Sequence, residues 1–254
     1  MSTLAESTMY DWRVQALMNW IEKNKTADGK LEMEKLAAAG HLDQYHYLGL
    51  KANEEVIEIL GLTSAMTVLD VGCGIGGPAR YLAWKSGARV TGVDIQAELV
   101  DAGNKVTQLV GLSSQVDLVC ADVSAPNPLF QTSFDAFVSL LVILHISNRE
   151  ALFANLFASL KPGGGFLIED MIALSPFGEE ETRIAKEVIG SPYLPSMEEY
   201  RAQLSQAGFV DIEFESLTPE WTQWCIQRSD QYEQSQEEQV RLHGGKIFAS
   251  RSRF

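Results

Sequence analysis

The chain has 254 residues, 46% of them hydrophobic and 21% charged, which suits one sizeable core and leaves two full domains cramped. Its 34 acidic and 20 basic residues give a formal net charge of -14, a field that repels phosphate backbones and argues against a nucleic-acid partner. Cys73, Cys120 and Cys225 are too scattered for a disulfide framework, and with four histidines they form no metal-ligand pattern, so no metal is expected.

From the amino end, Trp12, Val14, Leu17, Trp20 and Ile21 recur at helical spacing and predict a cap helix over Tyr10–Lys23. That start carries Glu6, Asp11 and Arg13 and no continuous apolar signal segment. No later apolar run is long enough to span a bilayer, so a cytoplasmic location is expected. A short helix over Leu31–Ala39 follows, then the polar-aromatic segment His41–Gly49, then a helix over Leu50–Leu60.

Thr67–Val71 reads as the first central strand and Gly77–Lys85 as its crossover helix. Pro78 is tolerated there because first-turn amides have no intrahelical acceptor. Arg89–Val93, Val116–Ala121 and Phe134–Leu140 supply the next strands, with helices over Gln96–Val110 and Arg149–Leu160. Lys161-Pro-Gly-Gly-Gly165 reads as a turn before a fifth strand, Phe166–Glu169.

Pro176–Pro195 interrupts the rhythm with a cap helix over Glu179–Ile189 and Tyr193 in the following turn. Ser196 is placed to cap a helix over Met197–Ala207, with Glu199 as its capping-box partner. Late strands over Phe209–Leu217 and Lys246–Arg251 flank a helical excursion through Trp221–Glu238. The strand–helix alternation predicts one mostly parallel α/β sheet covered on both faces. The expected division is a single domain over residues 1–254, with a helical cap at 1–49 and a cofactor-binding core at 50–175. A cap insertion at 176–195 and a closing segment at 196–254 complete it.

Residues 68–77, Val-Leu-Asp-Val-Gly-Cys-Gly-Ile-Gly-Gly, put an apolar run, an acid and a glycine turn where a nucleoside cofactor can approach the backbone. Gly72, Gly74 and Gly77 also satisfy the dinucleotide spacing, and Asp94 stands twenty residues beyond Gly74, so a nicotinamide oxidoreductase is a genuine competitor. Asp70 shifts the balance, because an acid two residues before the first glycine can orient the loop and bind the amino end of a methionine moiety. Asp94 can then accept ribose hydroxyls, and Asp122 can receive an adenine amino group. Together the three acids favour S-adenosylmethionine, with S-adenosylhomocysteine as product.

The joint pattern resembles a class I S-adenosylmethionine-dependent methyltransferase over roughly residues 49–209. Besides the glycine motif, Val-Thr-Gly-Val-Asp-Ile at 90–95, Ala-Asp-Val at 121–123 and Leu-Lys-Pro-Gly-Gly at 160–164 carry the likeness. The resemblance implies a Rossmann-like seven-stranded sheet of order 3-2-1-4-5-7-6, with strand 7 antiparallel. It also implies that Asp70, Gly72, Cys73, Gly74 and Gly76 serve the methionine side. Asp94 and Ile95 would serve ribose and adenine, Asp122 and Val123 the adenine, and Leu140 would border the cofactor.

Gly76-Gly-Pro-Ala-Arg-Tyr-Leu-Ala83 resembles the small-molecule branch containing sterol, glycine/sarcosine and phosphoethanolamine methyltransferases. Asp43–Leu50 resembles its cofactor-covering entrance segment. The layout around His145 and the tail from Tyr193 look most like the phosphoethanolamine enzymes, which points to N-methylation of an amino alcohol, amino acid or related amine. Leu141 stands where those enzymes look to have a functional acid, so O-, C- and S-acceptors stay open. An adenosyl-ligand-binding regulatory domain is the non-enzymatic alternative.

In-line methyl transfer draws much of its rate from holding the acceptor close. A base is needed only where the acceptor must lose a proton. His145 is the candidate, at the mouth of the fourth strand. Tyr10, Tyr45, His46, Tyr47 and Tyr193 are candidates for closing the site or binding a small-molecule methyl acceptor, and aromatic faces suit a cationic amine. Nothing in the sequence decides between a monomer and a homodimer.

Overall fold

The computed structural model describes residues 4–131 and 134–234, with side chains from residue 13 onward. Five parallel strands form one sheet in the order β3-β2-β1-β4-β5: β1 is Thr67–Val71, β2 Arg89–Asp94, β3 Val116–Cys120, β4 Phe134–Leu140 and β5 Leu160–Glu169. Parallel neighbours require crossovers. Three of these crossovers are helical: α4 (Gly77–Ser86), α5 (Ala97–Leu109) and α6 (Arg149–Ser159). Ahead of the sheet lie α1 (Leu4–Asn24), α2 (Met33–Ala38) and α3 (Leu50–Ile59). Beyond it come α7 (Glu179–Ile184), a π turn at Ala185–Ile189, α8 (Met197–Ala207) and α9 (Thr218–Gln234).

The registers decide which side chains share a face, because paired residues and every second residue along a strand project the same way. Asp70 pairs with Gly92 and with Val138, and Leu140 pairs with Glu169. Asp70, Asp94, Val138, Leu140 and Glu169 therefore lie on one face. Val68, Val90, Val138 and Leu140 pack there with Leu17, Ile21, Val56 and Leu82, the apolar faces of α1, α3 and α4. The opposite face carries Phe137, which stacks on Phe166 at 5.4 Å and meets Phe209 at 5.9 Å, while Phe157 of α6 closes on Phe209 at 5.2 Å.

Asp135 ties the amino ends of three strands together. It accepts from Thr67 N at 2.7 Å and from Lys161 Nζ at 2.7 Å, and the lysine holds its carboxyl below the usual range. Ser196 and Glu199 form the expected capping box on α8, with Gly208 in the left-handed conformation closing it.

Two expectations need correction. Residues 161–165 are not a turn ahead of β5 but part of it: two steps along β4, Phe134 to Ala136, face five along β5, Leu160 to Gly165. A bulge absorbs the surplus, and the glycines permit it. Phe209–Leu217 is irregular chain, with no strand neighbour among the described residues. A strand needs a neighbour for its backbone groups, and the expected late partner, Lys246–Arg251, lies outside the described residues.

The chain divides into two compact units, Met1–Ile212 and Glu213–Phe254. The first contains all five described strands. Among the described residues, no helix is long and apolar enough to cross a membrane.

Candidate functional site

The carboxyl ends of β1 and β2 converge on the glycine loop. Gly72 N and Cys73 N both donate to Val93 O, at 2.7 and 3.0 Å, which folds the loop back over β2. Gly72 holds φ at 69°, and a Cβ there would sit 2.2 Å from Val142 Cγ1, so the turn after β4 closes directly on the loop. Only glycine satisfies both constraints.

Asp70 and Asp94 are the acids of this end. Asp94 Oδ2 accepts from Gly74 N at 2.8 Å and its Oδ1 accepts from Gln96 N at 2.9 Å, so it fixes the loop against the start of α5. Each oxygen retains a second lone pair for a ligand. Asp70 is buried, and its carboxylate takes a backbone hydrogen bond from Ala79 at the start of α4. Its Oδ2 is buried without a hydrogen-bond partner. Burial first, and then the charge of Asp94, push the Asp70 carboxyl up to about 7. A buried acceptor left open beside a second acid has the chemistry to take a positively charged donor. Cys73 lies between them as a buried thiol, pushed well above its ordinary value by burial and by both acids, which keeps it protonated and inert.

The segment before α3 lies across this loop. The Asp43 carbonyl comes so close that a Cβ on Gly77 would stand 1.7 Å from its oxygen. A fully buried ion pair locks the approach: Arg80 Nη2 meets Asp43 Oδ1 at 2.5 Å, and Arg80 Nη1 donates to Gly103 O at 3.1 Å and Thr107 Oγ1 at 3.2 Å. Burial pushes the Asp43 carboxyl up, and the guanidinium opposes that rise. Tyr45 then packs against the loop, its Cδ2 at 3.7 Å from the position of a Gly74 Cβ, with the Arg13 guanidinium 4.7 Å over its ring. His46 is buried, and Nε2 bonds Gly49 O at 3.0 Å. A carbonyl only accepts, so Nε2 carries the proton, and burial lowers the imidazole to about 4. His46 is a neutral strut of the turn at neutral pH. Tyr47 is half-buried in the same segment. Tyr10 falls in α1, and its side chain lies outside the described residues.

The β4–β5 end is built differently. Leu140 is buried, and Leu141, at φ 59°, donates its amide to Glu169 O at 2.8 Å as the chain leaves the sheet. A one-turn 3-10 helix, Ile143–His145, follows. His145 is exposed, and its Nδ1 bonds Gly190 O at 3.1 Å, tying the turn to the inserted segment. The carbonyl fixes the proton on Nδ1, so Nε2 of the neutral ring is an acceptor.

Below that turn Asp170 gathers Leu144 N at 3.2 Å, Met171 N at 2.9 Å and the Tyr200 hydroxyl at 3.0 Å, with Arg149 stacked 4.3 Å over the Tyr200 ring. Sequence reading missed both Asp170 and Glu169. Glu169 ends β5 buried, Oε2 has no hydrogen-bond partner, and burial first and then the charge of Glu55 push its carboxyl up to about 7.

The remaining candidates spread out. Ile95, 60% exposed, extends an apolar side chain beyond Asp94. Val123 is buried past β3, while Asp122 is exposed and its Oδ1 accepts from Ser124 N at 2.8 Å and Ser124 Oγ at 2.7 Å, a local turn. Tyr193 lines a cleft with Ser147, Arg149 and Gln203 on the α6–α8 side. Among the described residues, no three His, Cys, Asp or Glu side chains group as metal ligands.

Comparison with known proteins places this geometry. Residues 69–168 match the family model described as a methyltransferase domain. Phosphoethanolamine N-methyltransferase 1 of Arabidopsis thaliana is 33% identical over 191 residues, 74% of this chain and 38% of that protein. Sterol 24-C-methyltransferase of Eremothecium gossypii is 30% identical over 179 residues, 69% of this chain and 45% of that protein. The chain thus spans less than half the length of these relatives. The fold matches Haemonchus contortus phosphoethanolamine N-methyltransferase 2, solved with phosphomonomethylethanolamine and S-adenosylhomocysteine, at a TM-score of 0.72 and 24% identity, covering 82% of this chain and 48% of that one. With its glycine loop and paired strand-end acids, the chain belongs to the class I S-adenosylmethionine-dependent methyltransferases, related to the phosphoethanolamine and sterol enzymes.

Proposed function

We propose that the chain methylates a small molecule with S-adenosylmethionine, and that the acceptor is a small amine. The observation that carries this reading is the open, buried Asp70 oxygen on the same sheet face as Asp94, beside a glycine loop too tight for any side chain at Gly72. These groups fit the cofactor's chemistry: acids for its positive charges and hydroxyls, bare backbone for close approach. Asp70, Gly72, Cys73, Gly74 and Gly76 hold the methionine part. Asp94 and Ile95 hold ribose and adenine, Asp122 and Val123 flank the adenine, and Leu140 borders the sulfonium side. When bound, the cofactor supplies an electrophilic methyl.

The chain's own residues do the rest. Tyr45, braced by the Asp43–Arg80 pair, covers the loop and excludes water. His46 supports Tyr45 and Tyr47 through the Gly49 turn, and Tyr10 and Tyr193 bound the acceptor from the cap and the insertion. His145, its proton fixed on Nδ1 by Gly190, takes a proton from the acceptor at Nε2. The same reading makes residues 1–254 one domain: a cap at 1–49, a core at 50–175, an insertion at 176–195 and a closing segment at 196–254. It completes the sheet as 3-2-1-4-5-7-6, with strand 7 antiparallel. The amine is favoured because the Arabidopsis relative is named an N-methyltransferase and because the chain is strongly acidic.

The test is a panel of amine, hydroxyl and thiol acceptors, reading S-adenosylhomocysteine formation with mass spectrometry of the products. Amines are expected to react. Replacing His145 with alanine is expected to lower turnover by about 10²–10⁴-fold with cofactor affinity unchanged. Full turnover in that variant removes its role as base, and tight cofactor retention with no methyl release across the panel favours a regulatory domain.

A further inference from the structure

We propose that Glu169 receives the cationic nitrogen of the methyl acceptor, from the β5 end of the sheet face that also carries Asp70 and Asp94. The inference rests on the methyltransferase reading and deepens it, by naming the acceptor's charged group and the residue that meets it.

Strand register sets where Glu169 lies. Glu169 is level with Leu140, and Asp70 is level with Val138, two residues earlier on the same strand. Glu169 therefore sits one pleat nearer the open, carboxyl edge than Asp70 and two strands away, about 10 Å across the sheet. Leu140 is the residue between them on this face. A ligand held at the glycine loop by Asp70 and Asp94 has Glu169 on the far side of Leu140, where a second small molecule would lie.

Glu169 is also the acid on this face with least to do. Asp94 is bonded to two backbone amides, and Asp70 takes the Ala79 amide. Glu169 Oε2 is buried and has no hydrogen-bond partner, in a residue only 6% exposed. A buried, unpartnered carboxylate oxygen is costly, and is retained where a ligand completes it. Nearby charges do not complete it. Lys51 and Glu55 of α3 are the groups that act on it, and the Lys51 ammonium lies 3.3 Å from Glu55 Oε1. Glu55 works against the Glu169 charge and Lys51 favours it, but neither supplies a hydrogen bond to Glu169 Oε2. An alkylammonium supplies both the charge and the N–H donors.

The test uses the whole chain saturated with S-adenosylhomocysteine, titrated at pH 6.5 with ethanolamine, phosphoethanolamine, glycine and sarcosine. Calorimetry in two buffers of different ionisation enthalpy reads affinity and proton release together. At least one amine is expected to bind with release of a proton as Glu169 ionises. Glu169→Gln is expected to weaken that amine by about tenfold or more and to abolish the release. Its affinity for S-adenosylhomocysteine is expected to stay within about twofold, since the glycine loop and its acids are untouched. Equal amine affinity and equal proton release in the variant overturn the assignment. So does failure of every amine to bind a wild-type chain that binds S-adenosylhomocysteine, and in that case the methyltransferase reading still stands. A chain that binds no S-adenosylhomocysteine removes both.

Discussion

The two ends of the sheet's open edge are built by opposite strategies. At the β1–β2 end, Asp70, the glycine loop and the first turn of α4 come from one continuous strand–turn–helix, and Asp94 is tied to the loop by a backbone amide. At the β4–β5 end, Leu141, His145, Glu169, Gly190 and Tyr200 come from four separate segments joined through carbonyls and one buried acid, Asp170. The first end is a local motif, set by steric demands that only particular residues meet. The second is a tertiary assembly, in which the identity of each residue depends on partners far along the chain. That contrast matches the proposed division between a cofactor half at the first end and an acceptor half at the second.

The largest way to break the contrast is to remove Asp43. The β1–β2 end is local, but its cover is pinned by one buried ion pair, and Asp43→Ala leaves Arg80 as a buried cation without its counterion. A loss of about 3–5 kcal/mol is expected, seen as a fall in Tm of about 10 °C or more. A loss under about 1 kcal/mol in thermal unfolding contradicts the idea that this pair fixes the cover.

A smaller effect sharpens the contrast by pH. Asp70, raised to about 7 by burial and then by Asp94, is mostly protonated at pH 6 and mostly ionised at pH 8. An ammonium pairs with the ionised form, so cofactor affinity is expected to rise by about tenfold over that range and to flatten in Asp70→Asn. In the ligand-free chain the sign is reversed. A carboxyl raised from its ordinary 3.8 favours the folded state at low pH, and that contribution is lost as pH climbs through about 7. Calorimetric titration at pH 6, 7 and 8 checks the first statement, and melting curves from about pH 4 to about pH 8 check the second.

The same division explains what could be read in the sequence. β1, β4 and α8 appear with the bounds their patterns predict, Thr67–Val71, Phe134–Leu140 and Met197–Ala207, because alternation and a capping box are local signals. Asp70, Gly72 and Asp94 were legible for the same reason. β5 was misjudged at its start because glycine and proline mark turns on average, and only pairing with β4 turns Leu160–Gly165 into a bulged strand. Glu169 and Asp170 were missed because an acid at a strand end carries no sign of its burial. Their surroundings come from α3, α6 and α8, which the local pattern does not place. Asp122 shows the converse: its position fits the motif, yet its carboxylate turns back onto Ser124.

The most direct test of the central claim is calorimetric titration of the purified chain with S-adenosylmethionine and, separately, with a nicotinamide dinucleotide, in wild type and Asp94→Ala. The account predicts that S-adenosylmethionine binds in preference, and that losing the acid which holds the glycine loop weakens it by about 10–100-fold. Preferential binding of the nicotinamide dinucleotide, or an Asp94→Ala variant that binds S-adenosylmethionine as wild type does, would contradict it.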